Sequence, residues 1–459
     1  MLFMSNTFTF GSRVRILAHS SLDNALIREL WSGFTFTASE ADIVSHDDPS
    51  VIIGSPEPQA LDGHSCVTSV TAEGIYIAAK DSASLTDGFL SILSAIKPIC
   101  LENGREELSL QTGLRYIDRP IERKAVHICV FPETSLFFLR RMVRLAGFLR
   151  YSHIVLEFWG TYRFKCLPEL AWRERSFTAD ALKPIIDDAA ALGVEIIPEF
   201  NHLGHASSSR SIYGKHTVLD QDPRLATLFS EDGWAWDLTN PSVRPLLKKV
   251  RAELSELCGR GGFFHLGCDE CYSYEGSEEK MSLAAGFIAD ICNEALSEGR
   301  RPIIWGDMLL TKERMRYSKD EPYECNCKSE AVAHELMSRL PSQTVIADWQ
   351  YNIKSGVWRS TEYFMQKGFD TFVCPWEGRE NLGSAVKTVK ELNPFGLMET
   401  TWHHLPKMVR ALLYLNYALE GDAPSDPLLC TETATLMRKL LPATNYEEAG
   451  WARTQLEFI

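Results

Sequence analysis

The stretch FFHLGCDECY, Phe263–Tyr272, begins as a short apolar run and reaches two adjacent carboxylates. Side chains alternate along a strand, so two neighbours inside one cannot face the same pocket. Asp269 and Glu270 can converge only where a strand stops and the chain turns. The stretch therefore predicts a strand whose carboxyl end carries a site.

Seven other stretches have the same character. VHICVF (126–131), HIVLEFW (153–159), VEIIPEFN (194–201), RPIIWGDM (301–308), TVIADWQY (344–351), FDTFVCPW (369–376) and FGLMETTW (395–402) are short and rich in apolar, β-branched or aromatic residues. They are nearly all apolar, as strands covered on both faces should be. Most are separated by stretches with helical spacing. TADALKPIIDDAAALG has a Thr cap and a closing glycine, and SVRPLLKKVRAELSELCG and EEKMSLAAGFIADICNEAL follow the same period. Eight strand–helix units predict an α/β fold, a (β/α)8 TIM barrel over residues 119–420. Residues 1–118 read as a small α/β domain, with VRIL, SVIIGS and GIYIAA as strands and ASLTDGFLSILSAI as a helix capped by Ser84 or Thr86. RYIDRPIERK reads as a charged connector, and residues 421–459 as a helical tail packed on the barrel.

Composition narrows the function. The 459 residues are 45% hydrophobic, ample for a large core, and carry a formal charge of −14. A nucleic-acid binder shows the opposite balance or a basic stripe, so the expected partner is a small or neutral molecule and not a nucleic acid. No apolar stretch approaches the roughly 18 residues of a spanning helix, which predicts no membrane segment. Twelve scattered cysteines read as reduced thiols. With no secretory signature at MLFMSNTFTFGSRVRIL and no glycosylation sequon, they predict a cytoplasmic protein.

Polar and aromatic residues collect at the predicted strand ends: Glu157 and Trp159, Glu199 and His205, Asp269 and Glu270, Trp305 and Asp307, Trp349 and Tyr351, Trp376 and Glu377, Glu399 and Trp402. Barrel enzymes build their sites on that face. Adjacent carboxylates on a surface helix are ordinarily a solvated face, but after Phe-Phe-His-Leu-Gly burial is expected, and burial separates the proton affinities of a pair. The tryptophans serve either as caps on the barrel core or as walls for sugar rings. Glu157 and Glu399 taken singly read equally well as salt-bridge partners. Cys268 and Cys271 with Cys325 and Cys327 offer four thiolates for zinc, although one residue between the second pair is fewer than the usual two to four. His202 and His205 of NHLGH, with Glu199 and His265, offer a catalytic metal site instead.

HLGCDE, the upstream PEFNHLGHA and the eight strand ends together resemble glycoside hydrolase family 20, the β-N-acetylhexosaminidases. The family hallmark His-x-Gly-Gly-Asp-Glu is matched by His265, Gly267, Asp269 and Glu270. Cys268 replaces the second glycine, a variant similar to the branch that contains hexosaminidase D. The resemblance covers about 119 to 415. It implies an exo-acting retaining enzyme that removes terminal N-acetylhexosamine without a metal or other cofactor, the substrate's own acetamido group serving as nucleophile. Glu270 would protonate the leaving oxygen and later activate water, while Asp269 would hold the acetamido N–H. Trp305, Trp349 and Trp402 would wall the sugar, Tyr351 would donate to the acetamido carbonyl, and Glu399 would hold ring hydroxyls. Glu157, His205, His265 and Trp376 complete the expected substrate-binding set. Classical members carry Asp-x-x-Arg at the first strand, where this chain reads HICVFPE with Phe131 or a neighbour in the arginine's place, so hydroxyl recognition is expected to differ. The alternatives are a metal-dependent hydrolase built on His202, His205 and Glu199, and a catalytically silent sugar-binding barrel.

Overall fold

The structure, a computed structural model, describes residues 7–10, 13–17, 31, 40–43, 51–53, 61–100, 106–421 and 440, with short breaks at 132–133, 173–175, 207–218, 220–221, 260, 317–318, 320–321 and 403–404. Eight parallel strands close into a barrel: Lys124–Cys129, His153–Glu157, Glu195–Glu199, Phe263–His265, Arg301–Trp305, Val345–Trp349, Asp370–Cys374 and Gly396–Thr401. The last pairs with the first, Glu399 lying opposite Val126. All eight predicted runs are present; seven are trimmed at one or both ends, and the first begins two residues earlier than predicted, at Lys124. The fourth is the shortest, because the chain turns at Gly267, whose φ is +67°.

Residue parity divides each strand. Ala125, Val155, Ile197, Ile303, Val345, Ala347, Phe372 and Met398 fill the inside of the barrel. Their neighbours Val126, Ile154, Leu156, Ile196, Phe264, Ile304, Ile346, Val373 and Leu397 belong to the larger layer beneath the helices. Both faces are therefore dry, and each fully buried aliphatic side chain contributes about 1.5–3 kcal/mol.

The helices begin where their caps are. Thr178 accepts the Ala181 N–H at the head of Ala179–Ala191, Ser135 accepts the Phe138 N–H before Leu136–Phe148, and Ser277 accepts the Lys280 N–H before Glu278–Ser297. Helix Val243–Cys258 stops at Gly259, in the left-handed region at φ +80°.

Ahead of the barrel stand two sheets. One has six strands in spatial order 40–43, 13–17, 51–53, 75–79, 66–70 and 113–117; the other has 7–10, 106–111 and 97–100. Helix Ser82–Ala95 packs on the larger sheet and is capped by Asp81, which accepts the Ser84 N–H. Ser84 and Thr86 lie inside its first turns, so neither is the cap. The predicted connector is also partly wrong. Arg115–Ile117 belong to strand Gly113–Ile117, antiparallel to Cys66–Val70. This is an edge strand with Leu114 57% and Tyr116 46% exposed, so it lacks the apolar run that marks a covered one. The expected tail lies outside the described residues save Gly421 and Leu440, and Leu440 is buried with its carbonyl accepting from Arg144. Among the described residues no helix is long and apolar enough to cross a membrane.

Candidate active site

Two layers of ionisable groups occupy the carboxyl end of the barrel, one inside it and one at its mouth. The inner layer follows from parity: His127, Glu157, Glu199, His265 and Trp305 all point inward and are buried. His127 Nε2 lies 3.1 Å from Glu157 Oε2 and 3.0 Å from Glu199 Oε2. His265 Nδ1 is 3.0 Å from Glu199 Oε1, to which the Trp305 indole also donates at 3.0 Å. Asn201 and the Cys129 thiol donate to Glu157 at 2.8 Å each. Burial pushes Glu199 up, but His265 and His127 more than offset it and hold the carboxyl far below the usual range. Burial likewise opposes charge on His127, yet Glu199 and Glu157 raise it to about 9.

At the mouth, the turn after Phe263–His265 passes through Gly267, Cys268 at φ +73° and Glu270 at φ +47°. Glycine is required at two points. A Cβ on Gly267 would stand 1.8 Å from Asn201 Oδ1, and one on Gly204 would stand 2.2 Å from the Asp269 carbonyl oxygen. The glycine of NHLGH thus lets the third-strand loop press against the carboxylate turn. That brings His205 Nε2 to 3.3 Å from Asp269 Oδ2 and 3.0 Å from Glu270 Oε2. The other Glu270 oxygen accepts from the Tyr272 hydroxyl at 2.7 Å, and the Glu270 carbonyl accepts from the Trp234 indole at 2.7 Å. Trp234 also faces the His205 ring at 4.5 Å and stacks on Tyr272 at 5.7 Å. The Asp269 side chain is 8% exposed and that of Glu270 25%; Asp269 Oδ1 has no hydrogen-bond partner among the described residues.

An aromatic band borders this pair. Tyr351 lies 5.1 Å from Trp349 and 5.4 Å from Trp376, and its hydroxyl accepts the Trp402 N–H at 2.6 Å. That leaves the Tyr351 proton available for donation. At the end of the first strand Phe131 packs with Trp159, Cys129 and Trp402. An apolar surface therefore stands at the first-strand end, where Phe131 or a neighbour is expected in place of the classical arginine.

The structure separates the expected substrate-binding residues into three groups. His205, Trp349, Tyr351, Trp376 and Trp402 gather at the mouth around Asp269 and Glu270. Glu157, His265 and Trp305 lie beneath it, each committed to the inner layer. Glu399 is a correction. Met398 and Trp402 face the interior side, and Glu399 has the opposite parity, so it lies under the helices near the Tyr151 hydroxyl. Burial there pushes its carboxyl well above the ordinary range. It cannot hold ring hydroxyls in the pocket. Trp234, Tyr272, Asp307 and His127 were missed as site residues. Tyr272 and Asp307 stand within the quoted words; Trp234 comes from a loop with no strand-end address.

The two metal readings also meet the geometry. His202 is buried, its Nδ1 2.6 Å from the Phe200 carbonyl, and among the described residues its ligand atoms do not join those of His205 and Glu199. Nor do the four cysteines form a donor cluster there. The groups that do converge are His127, Cys129 and Glu157, and His205, Asp269 and Glu270, whose donor atoms lie within 4.8 Å. The second is the carboxylate pair itself.

A parallel barrel with a histidine-linked acid pair and an aromatic band at its carboxyl-terminal face is the plan of a barrel hydrolase. Residues 155–377, just under half of the chain, match the family model described as glycosyl hydrolase family 20, catalytic domain. A β-N-acetylhexosaminidase from Cellulomonas fimi is 24% identical over 177 residues, 37% of this chain and 34% of that protein, so the match spans about a third of the relative's length. Among solved structures, the β-N-acetylhexosaminidase of Bacteroides fragilis is similar with a TM-score of 0.63 at 14% identity, covering 98% of this chain and 92% of that one. A Streptomyces plicatus β-hexosaminidase variant in complex with product (GlcNAc) gives 0.66 at 13%, covering 97% and 92%. At such identities the likeness is one of fold.

Proposed function

We propose that this chain is an exo-acting β-N-acetylhexosaminidase working by substrate assistance. The observation that carries the reading is that Asp269 and Glu270 meet on a single imidazole, with one Asp269 oxygen unpartnered among the described residues and an aromatic band beside it. Conventional retaining enzymes place two carboxyl groups about 5–5.5 Å apart on opposite sides of the scissile bond. Two neighbours held on one histidine suit a different division of labour.

In that division the acetamido carbonyl oxygen attacks the anomeric carbon while the bond to the leaving oxygen breaks and Glu270 gives that oxygen its proton. Asp269 accepts the acetamido N–H and stabilises the positive charge of the oxazolinium-like ring. Water then attacks the same carbon, losing its proton to Glu270, and the acetamido group is restored. Tyr351 donates to the acetamido carbonyl, and Trp349, Trp376 and Trp402 supply the apolar wall. His205 orients both carboxylates.

The substrate we assign is a carbohydrate with a terminal β-linked N-acetylhexosamine, supported by the product named in the Streptomyces plicatus structure. A reducing, cytoplasmic setting is supported by the cysteines, each of which is a free thiol where its side chain is described. The test is hydrolysis of paired aryl glycosides with and without the 2-acetamido group, in the presence of chelator. We expect rapid release from the N-acetylhexosaminide, release from the plain glucoside slower by at least about a thousandfold, and tight inhibition by a thiazoline analogue of the cyclic intermediate. Equal rates on the two glycosides, or no turnover of either, would sink the reading.

A further inference from the structure

One buried carboxylate at the mouth has no place in the mechanism above. Asp307 follows the fifth strand by two residues and is 1% exposed. It reaches this place because the strand end is tied on both sides. The Trp305 N–H donates to the Gly267 carbonyl at 2.9 Å, and the Gly306 N–H donates to the Ala347 carbonyl at 2.9 Å. Space at Gly306 is tight as well, since a Cβ there would meet Ile346 at 2.9 Å and Phe364 at 3.0 Å. The chain then bends into a short 3-10 turn, Asp307–Leu309, that turns the carboxylate under the acid loop.

Three donors from three segments converge on it. Asp307 Oδ2 accepts the Glu270 backbone N–H at 2.9 Å and the Asn326 amide at 2.9 Å. Asp307 Oδ1 accepts the Trp349 indole N–H at 3.2 Å. The Asp307 carbonyl accepts the Asn326 backbone N–H at 2.9 Å, fixing the loop that supplies the side-chain donor. Glu270 sits at φ +47°, a conformation that an L-residue holds only when its surroundings impose it.

We propose that Asp307 is a positioning residue, whose carboxylate holds the backbone of the acid Glu270 and the indole of Trp349 at a fixed separation. It touches no substrate and acts through those two groups. Its need for a carboxylate is geometric: two oxygens serve three N–H donors, and an amide would present its own donor to one of them. The inference rests on the functional reading above.

The test is Asp307→Asn, assayed on N-acetylhexosaminides of graded leaving-group basicity. If the variant misplaces the acid, kcat should fall about ten- to a hundredfold on poor leaving groups and less than about fivefold on activated ones, with KM within about threefold. The same substitution in a Glu270→Gln background should add almost nothing, because the group it positions has already lost its proton. Asn326→Ala, which removes one donor from the outer edge, should show the same leaving-group dependence at a smaller size and covers the case in which Asp307→Asn does not fold. A loss independent of leaving group in whichever of the two variants folds, or full additivity with Glu270→Gln, overturns the proposal. Absence of hydrolysis by the unmodified protein would instead overturn the functional reading.

Discussion

The barrel carries two pairs of glutamate and aspartate side chains in contact with histidine, and they differ in depth. Glu157 and Glu199 clamp His127 inside the barrel, where every member is buried. Asp269 and Glu270 clamp His205 at the mouth, where Glu270 retains a quarter of its side-chain exposure. The contacts are alike in length and chemistry. Depth changes what they can do. In the inner pair both carboxylates face His127 and no member reaches solvent. In the outer pair an oxygen of Asp269 has no hydrogen-bond partner among the described residues, and the Glu270 side chain is a quarter exposed. Motif reading put members of both pairs into one candidate site, and the structure separates them into a buried layer and a layer at the mouth.

The strongest way to break this division is to neutralise the outer acid. Glu270→Gln should cut turnover by about a hundred- to ten-thousandfold on substrates with basic leaving groups, the range general acid catalysis covers. The fold should be barely affected, because Tyr272 and His205 are near the surface and the Gln side chain can still pair with them. Kinetics alongside thermal melting decide it. A large fall in melting temperature with retained turnover would place the acid elsewhere.

How much of this was legible in the sequence follows from parity and distance. The barrel could be read because both faces of each strand are dry, so eight apolar runs stand out from the helices. The acid pair could be read because Gly267 and the adjacent carboxylates are a local signal. Glu399 was misplaced by ignoring parity: it lies three residues from Trp402, an odd spacing that puts the two on opposite faces of an extended chain. The same counting places His127, two residues before Cys129, on the interior side with Glu157. Trp234 could not be found this way. It comes from a long loop after the third strand, and its approach to His205 depends on tertiary packing.

The inner pair should answer in stability. Glu199→Gln removes the carboxylate that two histidines share, leaving Glu157 as the remaining buried carboxylate on His127. The expected cost is about 3–5 kcal/mol, read as a shift in denaturant midpoint. Turnover per folded molecule should fall far less than in Glu270→Gln. The pH dependence sharpens the comparison. Burial opposes the His127 charge, but Glu199 and Glu157 carry its value from an ordinary 6.5 up to about 9. A histidine raised on folding binds protons better in the native state. Its contribution is therefore complete below about pH 6.5 and lost as pH rises through 9. Stability measured between pH 6 and 10 should decline across that window in the parent and decline less in Glu199→Gln, where Glu157 alone still favours the His127 charge. A decline of equal size in both would show that His127 is not the group responsible.

The smallest effect is expected at Cys268, buried in the layer beneath the helices. Its φ of +73° is one that a residue with a Cβ adopts at a cost of about 1–2 kcal/mol, and the resemblance to family 20 puts a glycine there. Glycine at 268 would relieve that strain. It would also remove a buried sulfur, for which burial is worth roughly 1 kcal/mol, and add freedom to the unfolded chain worth about 0.5–1 kcal/mol. The terms nearly cancel, so Cys268→Gly should move stability by less than about 1 kcal/mol. Turnover should also be steady, because the path of the loop is held from outside. Asp307 accepts the Glu270 N–H, Trp234 donates to the Glu270 carbonyl, and Gly204 packs against the Asp269 carbonyl. Equilibrium unfolding and kcat on one aryl substrate are sufficient measurements. A gain above about 2 kcal/mol would mean that the cysteine is a strained substitution kept for another reason. A loss of turnover above about tenfold would mean that its side chain, and not the surrounding contacts, holds the acid pair in register.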